Sequence, residues 1–294
     1  MVTADESQAI ALIPGISHGR DSSHCFIQVM DGTKAESRYH RFDPQSFKPN
    51  SNRFRISIED HTFGKHGVSV DLPELQGAIY FKNCVMWRGS VLSPGIMGWY
   101  SFVPFMQCYH GLVSIHHDLE GSLTLSGQSF NFDGGKGYIE KDWGRSFPKS
   151  WIWTQCNHFD YDHPLSLMAS VAHIPWLGSH FIGFLALIWD GEKIKIFTTY
   201  TGAEMKAHLE EDQVTLSFRD REDQLSIRAS MAPGVDLVSP VVGEMVGKIN
   251  ESLQASQSIT YRRNDRPLIE ATGTSAGLEV AENHEILLSD EWRK

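Results

Sequence analysis

The sequence predicts an all-β protein, and three observations lead to that prediction. Short segments in which apolar and polar residues alternate recur along most of the 294 residues. Turn-forming pairs such as Asp31-Gly32, Glu120-Gly121 and Asp190-Gly191 lie between them. A single segment has the periodicity of a helix. Strands separated by such turns at intervals of roughly 8 to 12 residues are typical of a meander that closes into a barrel or a sandwich.

The alternating segments can be followed in chain order. The first half contains 54–58, 68–72, 76–81, 112–119 and 122–125, and the second half contains 151–159, 165–172, 181–189, 193–200, 213–219 and 224–230. The glycine-rich turn at 133–137 is the best internal boundary, and two barrels fit this length better than one very large barrel. We therefore predict two consecutive antiparallel β-barrels, residues 1–134 and residues 135–294.

The predicted helix spans 242–255. Its apolar residues recur at the helical period, namely Met245, Val246, Ile249 and Leu253. Glu244 also precedes Lys248 by one helical turn, a spacing that stabilises helices. We expect this helix to close one end of a barrel, so the fold prediction includes one or two short helices.

Composition excludes several classes of protein. The net charge of −10, with no run of Lys or Arg, disfavours nucleic acid and anionic membranes as partners. A hydrophobic fraction of 41% is enough for a substantial core. No segment has the roughly 18 uninterrupted apolar residues that a membrane helix needs. The N-terminal segment lacks signal-peptide features and the four cysteines are widely spaced, so we expect reduced thiols and a cytoplasmic location.

The richest chemistry lies in the segment 137–159. A strand over 137–143 would place Tyr138, Glu140 and Asp142 on one face, with the two carboxylates roughly 7 Å apart. If that face is apolar, at least one carboxyl group would resist ionisation and could give a proton to a poor base such as an alkene. The alternative is that both acidic residues simply face water.

The following strand also alternates. Trp151, Trp153, Gln155, Asn157 and Phe159 share one face, and such an aromatic wall with polar anchors is typical of small-molecule pockets. The alternative is that the tryptophan pair only packs in a core.

Histidines upstream were considered as metal ligands. His110, His116, His117 and Asp118 lie close in sequence, but a strand directs His117 to one face and its two neighbours to the other. We therefore predict no metal site, and we expect His117 to act as a hydrogen-bonding group in the pocket.

The segment that begins at Gly137 resembles the tocopherol cyclase family. The resemblance rests on Gly-Tyr-Ile-Glu-Lys-Asp-Trp-Gly at 137–144, Phe-Pro at 147–148 and Trp-Ile-Trp-Thr-Gln-Cys-Asn-His-Phe at 151–159. Shorter similarities lie at 11–16, 96–100, 103–104 with 110–111, and 276–280. The resemblance therefore covers nearly the whole chain.

The resemblance implies a fold of two lipocalin-like barrels, related to carotenoid hydratases. It also implies a reaction in which a prenyl double bond is protonated and a phenolic hydroxyl traps the cation, closing a chroman ring. No redox cofactor and no metal are expected for that reaction. Family members usually carry an aromatic strand before the segment that matches residues 2–14. The first strand of the first barrel is therefore either missing here or lies before the present start.

The positions that match the plant cyclase pattern are Glu140, Lys141, Trp143, Gly144, Phe147, Pro148, Trp151, Trp153, Gln155, Asn157 and Phe159. Asp142 departs from it, because plant members carry Asn there. That departure makes Glu140 the first choice for the acid.

The predicted function is an acid-catalysed intramolecular cyclase, an isomerase, acting on a prenylated phenol or a similar apolar terpenoid. Glu140 would protonate the alkene, while Tyr138, Lys141 and Asp142 would tune or relay the proton. The residues predicted to bind substrate are Trp143, Trp151, Trp153, Gln155, Asn157, Phe159 and His117. Two alternatives stay open: a non-catalytic carrier that uses the same cavity, and a hydratase in which water traps the cation.

Overall fold

The structure, a computed structural model, describes residues 1–20, 22–50, 53–104, 106–176 and 178–294. In these residues the chain forms 23 β-strands, joined by turns and by four short 3₁₀ segments. The 3₁₀ segments are Pro44–Ser46, Gly98–Phe102, Thr199–Thr201 and His284–Leu287. The prediction of an all-β protein is confirmed.

The strands of the first half are β1 (Ile10–Ser17), β2 (His24–Asp31), β3 (Glu36–Phe42), β4 (Phe47–Pro49), β5 (Arg55–Ile58), β6 (His61–Gly64), β7 (Gly67–Asp71), β8 (Leu75–Met86), β9 (Cys108–Leu125), β10 (Gln128–Asn131) and β11 (Lys136–Gly144). Those of the second half are β12 (Trp151–Cys156), β13 (Phe159–Asp160), β14 (Ser166–Trp176), β15 (Ser179–Trp189), β16 (Ile194–Thr198), β17 (Glu204–Glu210), β18 (Gln213–Asp220), β19 (Asp223–Ser230), β20 (Val235–Val241), β21 (Glu244–Arg263), β22 (Arg266–Val280) and β23 (Ser289–Arg293).

These strands form three antiparallel sheets. The first has the order β1-β2-β3, and the second has the order β10-β9-β8-β7-β6-β5-β4 with β11 also paired to β9. The third has the order β16-β15-β14-β12-β22-β21-β19-β18-β17-β23, with β13 on β22 and β20 on β21. Within the described ranges no sheet closes on itself through hydrogen bonds, so the two predicted barrels are not confirmed.

The predicted boundary at residues 134 and 135 does not coincide with the change of sheet. Strand β11 follows that boundary, yet it pairs with β9 of the first half. The chain enters the third sheet only at β12, after Gly144. The division of the chain into two domains stays a prediction.

Each half has its own hydrophobic core, and a third cluster joins them. The first core includes Ile27, Leu75 and Ile79, and the second includes Phe184 and Phe218. The joining cluster combines residues of β9 with residues of β14 and β15, namely Leu112, Ile115, Met168, Leu187 and Trp189, and Ile96 packs with them. This contact brings β9 and its partner β11 against the third sheet.

The predicted helix at 242–255 is wrong. Residues 244–255 of that segment lie in β21, which pairs with β19, β20 and β22 along its length, and residues 242–243 form the turn before it. The inward positions of the strand include the polar residues Glu251 and Gln257, so its two-residue alternation is hidden in the sequence. Pairing with neighbouring strands overrides the local helical spacing. Among the described residues, no helix is long and apolar enough to span a membrane.

Candidate active site

Strand β11 carries the acidic side chains of the site, and its register positions them. The strand pairs with β9, and irregularities on either side of Ile139 shift the register. Beyond them Glu140 lies opposite Leu112, and Asp142 lies opposite His110. Tyr138, Glu140 and Asp142 are brought together on the side that faces β12.

Glu140 is held by three side chains. The hydroxyl of Tyr138 donates a hydrogen bond to its Oε2 at 2.5 Å, and the indole Nε1 of Trp153 donates to the same oxygen at 3.2 Å. The Nε2 atom of His110 lies 3.7 Å from that oxygen. Burial raises the pKa of Glu140 to about 7, although the positive charge of His110 opposes the shift and the charge of Asp142 assists it.

His110 lies between two carboxylates. Its Nδ1 is 2.8 Å from Oδ1 of Asp142, while its buried Nε2 has no hydrogen-bond partner in the structure. Burial acts to lower the pKa of His110, but the charges of Asp142 and Glu140 outweigh it and raise the pKa to about 9. The ring is therefore an imidazolium at neutral pH.

The group formed by His110, Glu140 and Asp142 has the composition of a metal site, since its ligand atoms lie within 4.8 Å of one another. The hydrogen bond between His110 and Asp142 and the raised pKa values of His110 and Glu140 show that these groups also share protons, and we interpret them as a proton-holding network. Of the other histidines weighed as metal ligands, His116 bonds Ser166 Oγ at 2.8 Å and His117 bonds Ser114 Oγ at 2.9 Å.

A cavity of about 130 Å³ opens in front of Glu140. One water needs roughly 10–15 Å³ on a comparable measure, so the cavity admits a ring system. Its apolar lining comes mainly from Met97, Tyr100, Phe147, Trp151, Trp153, Ile174, Phe181, Phe184, Leu185 and Tyr200. Its acidic lining consists of Glu140, Asp142 and Glu279, with His110 beside them. The site thus combines apolar walls with a small set of ionisable groups, as ligand sites usually do.

Glu279 of β22 is a second carboxyl group on the cavity wall. It lies opposite Trp153 of β12 and opposite Glu251 of β21 in the strand registers. The indole Nε1 of Trp151 donates a hydrogen bond to its Oε2. Burial raises the pKa of Glu279 to about 7 and that of Glu251 well above its ordinary value. Gly277 allows this packing, since a Cβ there would come within 2.7 Å of the Trp153 ring.

Several residues predicted for the site do not line the cavity. Lys141 and Trp143 are exposed on the other face of β11, with the Lys141 Nζ 4.8 Å from the Trp143 ring centroid. Asn157 Nδ2 donates to the carbonyl oxygen of Gly137 at 3.0 Å and ties two segments together. Phe159 packs in the second core. Gln155 also lies outside the cavity lining.

His117 is fully buried and packs on Phe81, with 4.2 Å between ring centroids. Burial lowers its pKa to about 3, so the ring is neutral and belongs to the core. Its predicted contact with a ligand has no support in this position.

Sequence reasoning missed several residues that line the cavity or lie behind it. It weighed His110 only as a metal ligand and did not single out Glu279, Glu251, Tyr100 or Tyr200. A signal existed for three of these residues, because Tyr100, His110 and Glu279 belong to the stretches 96–100, 110–111 and 276–280 that resemble the family. Their roles depend on strand pairing between distant segments.

Comparisons with known proteins identify the family of the chain. The sequence profile described as tocopherol cyclase-like matches residues 87–282, which is well over half of the chain. A protein of Oryza sativa subsp. japonica named "Probable tocopherol cyclase, chloroplastic" is 34% identical over 97 residues, which is 32% of this chain and 21% of that protein. The "Tocopherol cyclase, chloroplastic" of Zea mays is 34% identical over 62 residues, which is 21% of this chain and 13% of that protein.

Among solved structures, kievitone hydratase from Nectria haematococca has a TM-score of 0.51 at 10% identity, covering 96% of this chain and 86% of that chain. At this identity the likeness concerns the fold alone. The match with the family profile includes all of β9, β11, β12 and β22, which carry Glu140, Asp142, His110, Glu279 and the two tryptophans of the cavity. The chain belongs to the tocopherol cyclase-like family.

Proposed function

We propose that the protein is an enzyme that protonates the double bond of a prenylated small molecule and closes a ring onto it, with Glu140 as the acid. The observation that carries this proposal is the position of Glu140 on the wall of an apolar cavity, where burial brings its pKa to about 7. General acid catalysis is most efficient when the pKa of the acid lies near the working pH. Membership of the tocopherol cyclase-like family supports the same class of reaction.

In the first step the protonated carboxyl group of Glu140 transfers its proton to one alkene carbon. A C–H bond forms and the neighbouring carbon becomes a carbocation. Trp151, Trp153 and Phe147 line the cavity, and aromatic faces stabilise cations by about 0.5–2 kcal/mol each. Tyr138 and Trp153 orient the carboxyl group through their hydrogen bonds, while Asp142 acts on it through its charge and through His110.

In the second step a phenolic oxygen of the same substrate attacks the carbocation. The new C–O bond closes the ring and the phenolic O–H bond breaks, releasing one proton to a base. Glu140 regains one proton from solvent, so the product is an isomer of the substrate. If water attacked instead, the same acid would make the protein a hydratase. A carrier without catalysis is the less favourable interpretation. An apolar ligand would displace water from the carboxyl groups without offering them a hydrogen-bond partner, and this would weaken its binding.

The test is an assay with a panel of prenylated hydroquinones, followed by liquid chromatography and mass spectrometry. We expect a new product of unchanged mass with the wild type, its loss with Glu140→Gln, and its retention with the matched variant Glu210→Gln. Glu210 suits the control because its side chain is 78% exposed. A product heavier by one water would replace the cyclase with a hydratase. Retention of substrate without turnover would contradict both and favour the carrier.

We also propose that the two halves correspond to lipocalin-like barrels, with the cavity beside the contact between them. The separate cores of the two halves support this arrangement. The cytoplasmic location stays a prediction, and both curated relatives carry the word chloroplastic in their names.

A further inference from the structure

We propose that Glu279 is the base that accepts the proton released when oxygen attacks the carbocation, and that Glu251 is a buried acid that positions Glu279 for this step. This inference rests on the proposed function, because it assigns the second proton transfer of the same reaction. It concerns side chains of β21 and β22, whereas the acid Glu140 and its hydrogen-bond donors lie on β11 and β12.

Glu279 and Glu140 line one cavity and are held in matching ways. Trp153 donates its indole hydrogen to Glu140, and Trp151 donates its indole hydrogen to Glu279. Both tryptophans belong to β12, two residues apart, and therefore point to the same face. One strand thus presents two carboxyl groups to the same substrate, one from β11 and one from β22.

The contact between Glu251 and Glu279 determines which of these two carboxyl groups is protonated before the reaction begins. Glu251 lies opposite Glu279 in the register of β21 and β22, its side chain hydrogen-bonds that of Glu279, and it is only 8% exposed. Two carboxyl groups form a hydrogen bond only if one of them holds a proton. The more buried group keeps that proton, so Glu251 donates and Glu279 accepts.

Among the described residues, no permanently charged cation is paired with Glu279. The amino group of Met1 acts on Glu251, Glu140 and Asp142 act on Glu279, and Glu279 in turn acts on His110. A carboxylate that receives only the hydrogens of Trp151 and Glu251 remains able to accept another. Glu140 is occupied by Tyr138 and Trp153 and has its own proton to give.

The protons balance over one turnover. The O–H bond of Glu140 breaks as the C–H bond forms at the alkene. The C–O bond then forms, the O–H bond of the phenol breaks, and that proton passes to the Glu279 carboxylate. One proton returns from Glu279 to Glu140 through solvent before the next cycle, so the net reaction is an isomerisation.

The test separates the two proton transfers by following deuterium. Wild type and variants are incubated in D₂O with a prenylated hydroquinone and, separately, with its methyl ether, whose blocked oxygen cannot close the ring. In the ether the cation can only lose a proton again, so the prenyl chain becomes labelled. This labelling reports the acid step alone, and ring closure reports both steps.

We expect Glu279→Gln to slow ring closure by roughly 100-fold or more, as loss of a general base does. Labelling of the ether should stay within about threefold of wild type, since Glu140 is intact. Recovered hydroquinone should also carry deuterium, because the cation returns to alkene. Glu251→Gln should keep most of the closure, because its amide still donates to Glu279, whereas Glu251→Leu should lose it.

The controls distinguish the possible failures. Glu210→Gln should match the wild type, and if Glu279→Gln does not fold, Glu279→Asp should show reduced closure with unchanged labelling. Two results would overturn the role of Glu279. One is ring closure that persists in Glu279→Gln, and the other is a loss of both labelling and closure in a folded Glu279 variant. A wild type that neither closes nor labels overturns the proposed function, and the role of Glu279 with it.

Discussion

Two acidic side chains of this molecule lie in similarly buried places and have opposite properties. Asp223, at the start of β19, has a side chain that is 11% exposed, and Glu140 has one that is 24% exposed. Burial acts to raise the pKa of both groups. The pKa of Asp223 is nevertheless lowered to about 2, while that of Glu140 is raised to about 7.

The partners explain the difference. Asp223 receives Arg263 Nε at 2.8 Å, Lys195 Nζ at 2.8 Å and the hydroxyl of Tyr261 at 2.7 Å. Glu140 receives two neutral donors, and its one cationic neighbour, His110, is bonded to Asp142 instead. A buried carboxylate that is bonded directly to two cations, as Asp223 is, acts as a structural anchor, even though Lys195 also bonds Asp220. A carboxyl group whose neighbouring cation is bonded elsewhere keeps its proton near neutral pH and can act as an acid.

The largest effect should separate the two groups by activity. Glu140→Gln should lower kcat by roughly 10²–10⁴-fold, because the amide keeps the shape but has no transferable proton. Asp223→Asn should leave kcat within about twofold, since Asp223 does not line the cavity. Steady-state kinetics on the ring-closing substrate measure both. Equal losses of activity in two folded variants would contradict the contrast.

Stability should respond in the opposite way. Asp223→Asn removes a carboxylate that Lys195 and Arg263 share, but Lys195 keeps Asp220 and the Arg263 side chain is half exposed, so we expect a loss of about 1–2 kcal/mol in the free energy of unfolding. Glu140→Gln should cost less than that or stabilise the protein near pH 8, because it removes a poorly paired buried charge. Unfolding in urea gives both values. A smaller loss for Asp223→Asn than for Glu140→Gln would refute this assignment of roles.

The pH dependence of stability should sharpen the comparison. The folded-state pKa of Glu140, about 7, lies above its ordinary value of about 4.3, so its stabilising contribution is complete below about 4.3 and is lost as the pH rises through 7. The folded-state pKa of Asp223, about 2, lies below its ordinary value of about 3.9, so its contribution is present above about 3.9 and is lost as the pH falls through 2.

Each variant should remove one of these two trends. Relative to wild type, Glu140→Gln should gain about 1–3 kcal/mol in the free energy of unfolding as the pH rises from 4 to 8. The destabilisation caused by Asp223→Asn should shrink by about 2 kcal/mol as the pH falls from 4 to 2. Urea unfolding at intervals over that range tests both. Parallel curves for wild type and a variant would mean that the replaced group does not titrate as described.

The smallest effect concerns one hydrogen bond. Tyr138→Phe removes a donor to Glu140, and because such a bond stabilises the ionised form, the pKa of Glu140 should rise further. The alkaline limb of the kcat/KM profile should move up by about 0.5 pH unit. Tyr39→Phe, which removes a hydroxyl bonded to His24 away from the site, should not move it. A downward shift with Tyr138→Phe would contradict the assignment of Glu140 as the titrating acid.

Local pattern was a sound guide where one face of a strand is apolar and the other polar. The alternation over 151–159 predicted one strand, and β12 forms its first six residues, Trp151–Cys156. The alternation of Tyr138, Glu140 and Asp142 predicted a strand that forms as β11. The same approach failed in β21, where Glu251 and Gln257 occupy inward positions. The residue type alone does not show whether a polar side chain faces inward or faces water, so the pattern does not predict its burial.

The sequence by itself determined the strand-rich class and the family, and it singled out Glu140 as the candidate acid, because each of these depends on neighbouring residues. Only the tertiary structure decided which groups meet that acid. His110 comes from β9, Trp153 from β12 and Glu279 from β22, and strand pairing across distant parts of the chain brings them to one cavity. The pKa of a carboxyl group depends on the charges and donors within a few ångströms of it, and that environment exists only after folding.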